Sequence, residues 1–187
     1  MAVSVIGWLY WANGQNDSDP GPPGPHVTTQ EEHSVFSAFL TIPNANYTER
    51  ATPLGVEAMT FPIRRICEQR TRHFDRFLKA RLKGISARTI DSFFYVNTSS
   101  AIVAPSITST LPVVMESRGF EQLSQKYMVP PGLISFSRVG FHDNQALLYV
   151  HQVWGTTPQP AGGGTFVLFE RKGTAWAVKS NVTASRY

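Results

Sequence analysis

Apolar and polar positions keep two different rhythms along this chain. Residues 133–182 hold four runs dense in β-branched and aromatic residues: LISFSRVGF, QALLYVHQVW, TFVLFERK and AWAVKSNV. Short polar or glycine-rich segments (HDN, GTTPQPAGGG and GT) separate them, which is the pattern of strands joined by turns. Strands so close in sequence pair antiparallel, so the pattern predicts a four-stranded antiparallel meander.

Upstream the period is helical. Val35, Phe36, Phe39 and Leu40 recur at helical spacing, and Thr28 or Thr29 with Glu31 or Glu32 completes a capping box. Together they predict a helix over about residues 30–41, ended by Pro43. Residues 44–61 read as a loop and a short extended piece. Pro62 then opens a second helical stripe through Ile63, Ile66, Cys67, Phe74, Phe77, Leu78 and Leu82, with Gly84 placed as its C-terminal cap. Arg70 interrupts that stripe and predicts a break or kink there. TIDSFFYVNTSS (89–100) suits a short helix or a strand, SAIVAPSITSTLPVV a wandering loop or sheet edge, and ESRGFEQLSQKY a further short helix. Helices first and a sheet afterwards make an α+β fold, with the N-terminal helices packed on one face of the C-terminal meander.

Three segments follow from this reading: an apolar N-terminal stretch over 1–14, a Pro/Gly linker over 15–27, and one globular α+β domain over 28–187. A chain of 187 residues with 42% apolar content can bury a real core. Its charged fraction of 16% is low, a composition that goes with secreted proteins. The apolar run in MAVSVIGWLYWANGQN is too short to span a bilayer. It reads as a degenerate signal sequence, an interfacial anchor, or a docking segment that presents Trp8, Tyr10 and Trp11. The proline-rich NDSDPGPPGPH behind it acts as a tether.

Cys67 is the only cysteine, so disulfides, cysteine zinc clusters and CxxC redox chemistry are excluded within the chain. No hydrolase elbow, zincin, P-loop or dinucleotide fingerprint is present. The AGGG run lies between strands and lacks the helix N-terminus that makes such loops hold phosphate. His142, Asp143 and His151 invite a metal reading, but a solvated turn histidine is the plainer one, and neither metal nor cofactor is expected. Asn46, Asn97 and Asn181 each begin a glycosylation sequon, which matters only if the source is eukaryotic.

EEHSVFSAFL, IDSFFYVN and PPGLISFSRVGFHDNQALLYVHQVW followed by AGGGTFVLFERKGTAWAV resemble a family of uncharacterised, small and often exported bacterial proteins. That family ends in a serine-arginine-valine-glycine-phenylalanine strand, an ALVYV-like strand, a glycine pair, and a G-x-W-x-V finish. The matching positions include Glu32, Asp91, Asn97, Ser137, Arg138, Gly140, Tyr149, Gly163, Gly164 and Trp176. The resemblance covers the C-terminal third well and implies an extracytoplasmic setting, with no activity attached. The TTPQP insertion and the strength of the basic helix depart from the family pattern.

Arg138 is the residue whose position asks for an explanation. Strict alternation places it on the same face as Ile134 and Phe136, an apolar face, with Gly140 marking a bulge beside it. An inward arginine needs a carboxylate, because an unpaired buried charge is very costly. Glu32 and Asp91 are the expected partners in a strut joining helix to sheet. The competing expectation is a ligand pocket between sheet and helices, lined by Arg138, Tyr149, His151 and Trp176. Arg64, Arg65, Arg72, Arg76 and Lys79 form a basic helix face, which is a solvated surface or a docking surface for a protein or an anionic membrane. With a net charge of only +4 and no nucleic-acid module, nucleic acid is not an expected partner.

No catalytic constellation is legible. The expectation is therefore a non-enzymatic, envelope-associated interaction module or accessory subunit, most naturally for a protein partner. The alternative is a small-molecule binder or enzyme.

Overall fold

In the computed structural model, which describes residues 26–41, 54–61, 72–109, 113–116, 132–154 and 161–186, the first helix begins where the sequence caps it. Thr29 is the N-cap of α1 (Gln30–Leu40), and the reciprocal box with Glu32 is complete. Of the predicted basic helix, Arg72–Arg81 is described as α2, with Leu78 fully buried and Gly84 beyond its end at φ 76°. The expected break at Arg70 and the helix predicted over 116–127 lie outside the described residues, apart from Glu116. Segment 89–100 resolves as a helix, α3 (Ala87–Val96), capped by Ser86, whose hydroxyl accepts from the Thr89 N–H.

Nine strands are described: β1 (His26–Val27), β2 (Leu54–Glu57), β3 (Ala101–Ile102), β4 (Val113–Glu116), β5 (Gly132–Phe136), β6 (Gly140–His142), β7 (Gln145–Trp154), β8 (Ala161–Lys172) and β9 (Ala175–Arg186). β1 and β3 form a small parallel pair, so His26 and Val27, the last residues of the linker stretch, belong to the folded body. The main sheet has the order β4-β2-β5-β7-β8-β9, with β6 also on β7. This α+β sheet is larger than a four-stranded meander. β2 joins β4 and β5 in parallel, and LISFSRVGF divides into two strands that share β7 as partner.

Helices cover both faces of the sheet, which corrects the one-face expectation. On one face Val35, Phe36 and Leu40 of α1 pack with Phe136, Ala146, Leu148, Val150, Val167 and Phe169. On the other, Leu78 of α2 and Ile90, Phe93 and Phe94 of α3 pack with Leu147, Tyr149, Phe166 and Leu168. The reason is in the strand sequences. A strand with one wet face alternates, whereas ALLYV and FVLF are apolar without interruption and need cover on both sides. Gln145, at the start of β7, ties the turn between α2 and α3 to the sheet. Its amide donates to the Gly84 carbonyl and accepts from the Ser86 N–H.

Candidate functional site

Two polar constellations interrupt the apolar sheet, and the first lies in the split strand. Phe136 is opposite Val150 and Gly140 is opposite Leu147, so residues 137–139 face only Leu148 and Tyr149, three residues against two. That extra residue is a bulge, and it reverses the phase of the strand: Phe136 and Phe141 both meet the α1 face although they are an odd number of residues apart. A bulge leaves main-chain groups without ladder partners. Asn97, the C-cap of α3, replaces them with its side-chain amide, accepting from the Arg138 N–H at 2.8 Å and donating to the Arg138 carbonyl at 2.9 Å. Ser137 assists, accepting from the Tyr149 N–H and donating to the Arg138 carbonyl.

The Arg138 side chain runs to the N-terminus of α1. Its Nε and Nη2 donate to the two Glu32 oxygens at 3.1 Å each, a forked pair. Glu32 is only 1% exposed, and it also accepts from the Thr29 N–H at 2.8 Å and the Val139 N–H at 3.2 Å. A buried carboxylate with four donors at a helix N-terminus has its charge compensated on every side. Asp91 stands exposed on α3, and the carboxylate that receives Arg138 is Glu32. Gly140 has a further role beside the bulge. A Cβ there would fall 2.2 Å from the Phe93 Cα, so α3 can lie against β6 only because that position carries no side chain.

This arrangement dissolves the expected four-residue pocket. Arg138 is committed to Glu32, and Trp176 is buried on the α1 face against Phe141, with Arg171 over its ring. Tyr149 and His151 share the opposite face, because they are two residues apart on one strand. His142 and His151 do not meet. His142 pairs with Gln145, six residues before His151, which is about 20 Å along β7. No group of three or more metal-ligating side chains is found among the described residues.

The second constellation was not anticipated in the sequence. Ser135 is opposite His151, His151 is opposite Gly164, and Glu57 lies one residue beyond the Val56–Ile134 pair with its side chain hydrogen-bonded to Ser135. Glu57, Ser135 and His151 therefore form a cross-strand row over β2, β5 and β7, next to the α2/α3 core. Burial raises Glu57 above the ordinary carboxylate range, opposed by the Ser135 hydrogen bond, and burial lowers His151. The Phe61 ring stacks on the His151 imidazole with centroids 6.4 Å apart. Gly164 has its side-chain space taken by Tyr149, whose hydroxyl would lie 1.7 Å from a Cβ there. Only register brings these residues together, so no local motif announces them.

Of the expected interface, Arg72, Arg76 and Lys79 are exposed on α2, while Trp8, Tyr10, Trp11, Arg64 and Arg65 lie outside the described residues. Asn97 is fully buried against the bulge, so in the folded chain its sequon is closed to modification. The exposed apolar side chains include Val27 (57%), Met59 (48%) and Ile102 (40%). Ile102 is paired with Val27 on one side and Met59 on the other, so the three form one continuous strip. Among the described residues no helix is long and apolar enough to cross a membrane. Comparisons with protein families, curated proteins and solved structures gave no match for this chain.

Proposed function

We propose that this chain is a non-enzymatic interaction module, working outside the cytoplasm as a subunit or accessory of a larger protein assembly. The observation that carries the reading is the strip Val27–Ile102–Met59, three exposed apolar side chains held side by side by strand pairing at the point where the linker enters the fold. Two further features support it. The most conspicuous charged group, Arg138, is consumed in joining elements, and the centre of each sheet face is filled by Phe and Leu. The extracytoplasmic setting draws on the family resemblance, the weakly charged composition and the tethered apolar N-terminus. Residues 1–14 and the basic α2 face are the surfaces for additional contact with a membrane or partner.

The test is a mild-detergent purification of the full chain from its source, beside a variant carrying Val27→Ser, Met59→Ser and Ile102→Ser. A stoichiometric assembly that the variant loses, at unchanged thermal stability, is the expected result. An assembly that survives the triple substitution refutes the strip as the docking surface.

A second reading, a small-molecule binder, has its own observation in the Glu57–Ser135–His151 row. The row lies beside the filled core and not inside it.

A further inference from the structure

We propose that the outer side of the helical layer made by α2 and α3 docks on an anionic lipid bilayer, with a ridge of Arg72, Arg76, Lys79 and Lys83 against the lipid phosphates. This rests on the interaction-module reading above and names the partner of its basic face. Residues 72–83 hold five of the chain's 17 basic residues and one of its 13 acidic ones, an excess of four that equals the net charge of the whole chain. The other 12 basic and 12 acidic residues cancel, so α2 is the positive end of the molecule.

Packing turns these charges outward. Leu78 and Leu82 are fully buried and Phe74 and Phe77 partly so, which presses one side of α2 onto the sheet. At 3.6 residues per turn, Arg72, Arg76 and Lys79 lie within about 60° of one another on the other side, and Lys83 follows in the turn beyond the helix end. From Arg72 to Lys83 the ridge is roughly 16 Å long. All four side chains are exposed. The ion pairs among the described residues are Arg138–Glu32, His142–Asp143, Arg171–Glu31 and Lys179–Glu170, and none of them involves the ridge. Asp75, the one acid of α2, is half-buried and already engaged.

Shape and composition select a bilayer among anionic partners. The apolar side of α2 is taken up by the core, so the ridge adsorbs without inserting, and a straight convex row of charges meets a flat surface along its whole length. α3 lies beside α2 in the same layer, joined to it by the edge-on contact of Phe74 and Phe94. It contributes Tyr95, 81% exposed, and an outward tyrosine ring is suited to the level of lipid headgroups. Arg88 and Asp91, the exposed charges of α3, offset each other. Single-stranded nucleic acid calls for several rings between the cations, whereas the exposed neighbours on the ridge are His73 and Ala80. The apolar sequence over 1–14, with Trp8, Tyr10 and Trp11, gives the same chain the second attachment signal that a basic patch needs beside it.

The test is co-sedimentation of the full chain with phosphatidylcholine vesicles, plain or with about one-third phosphatidylglycerol, at about 20 mM and about 300 mM salt. Binding to the anionic vesicles alone, lost at the higher salt, is the expected result. Each basic residue near such a surface strengthens binding about fivefold, so the double variant Arg76→Gln, Lys79→Gln should weaken it about 30-fold with its circular dichroism unchanged. Lys172→Gln, which removes one charge at the end of β8, should leave binding close to wild type. Equal binding to plain vesicles, or binding that the double variant keeps, overturns the ridge as the contact. No binding to anionic vesicles, with a single-stranded polynucleotide or polyglutamate bound in their place, overturns the bilayer as the partner. The assembly tested with the Val27, Met59 and Ile102 substitutions reads a different surface, so the interaction-module reading and this one fail separately.

Discussion

Replacing Glu32 by alanine tests the central joint of the fold most directly. The carboxylate is buried and takes donors from Arg138 Nε, Arg138 Nη2, the Val139 N–H and the Thr29 N–H. Truncating one member of a buried pair costs about 3–5 kcal/mol, because the partner charge is left uncompensated. Loss of the capping box adds about 1 kcal/mol. A total of about 4–6 kcal/mol is a large part of the 5–15 kcal/mol typical of a whole domain. With a urea dependence of about 2 kcal/mol per molar, the midpoint should fall by about 2–3 M at unchanged slope.

Arg138→Ala should cost less, about 1–3 kcal/mol. Glu32 would retain its two main-chain donors at the helix N-terminus, and the Arg138 side chain, at 17% exposure, is the wetter partner. Urea unfolding followed by circular dichroism measures both variants. A Glu32→Ala shift under about 0.5 M, or a larger loss from Arg138→Ala, would show that the pair is not the joint described here.

Gly140→Ala should be far more damaging than an ordinary glycine substitution. The new methyl meets the Phe93 backbone, which cannot swing aside as a side-chain end can, so α3 must shift; a loss of at least about 1–3 kcal/mol in urea unfolding is expected. A variant with wild-type stability would overturn the close-approach argument. The pH dependence of melting tests His33, which is buried with Nε2 at 2.6 Å from the Thr28 hydroxyl and Nδ1 at 2.9 Å from that of Ser106. Burial lowers it from 6.5, with Glu32 opposing, so its contribution is whole above pH 6.5 and is lost as pH falls through the folded value. His151 acts in the same sense. Glu57 acts in the opposite one, its raised value favouring the fold at low pH and losing that contribution as pH rises above 4.5. Melting between pH 7.5 and 5 should therefore fall less steeply in His33→Asn than in wild type; equal slopes would remove His33 from the account.

The first helix was readable because its cap is local: Thr29 and Glu32 stand three residues apart, and the same spacing closes the box in the fold. The joint to Arg138 spans 106 residues, and only a chemical argument reached it, since an arginine among Ile and Phe demands a carboxylate. That argument left Glu32 and Asp91 equal, because helix phase relative to a distant strand is a tertiary property. In the sequence Gly140 marks a bulge, but its tightest constraint comes from Phe93, which no strand pattern contains. Asn97 as a replacement peptide, and the Glu57–Ser135–His151 row, were invisible for the same reason. One depends on where a helix ends against a bulge, the other on parallel pairing of β2 with β5 across a long connection. The second helical layer, by contrast, was there to be read in the unbroken apolarity of ALLYV and FVLF.

The bulge has a consequence for how the molecule opens. Two successive amides, Arg138 and Val139, are held by side chains from different helices: Asn97 at the end of α3 and Glu32 at the start of α1. Their exchange with solvent deuterium is therefore gated by different events, detachment of α3 for the first and of α1 for the second. Adjacent in sequence, they form a pair of clocks on opposite sides of one sheet. If they run at one rate, the two helical layers leave together and the domain opens as a single unit. If they run apart, the slower one names the layer that holds the sheet last.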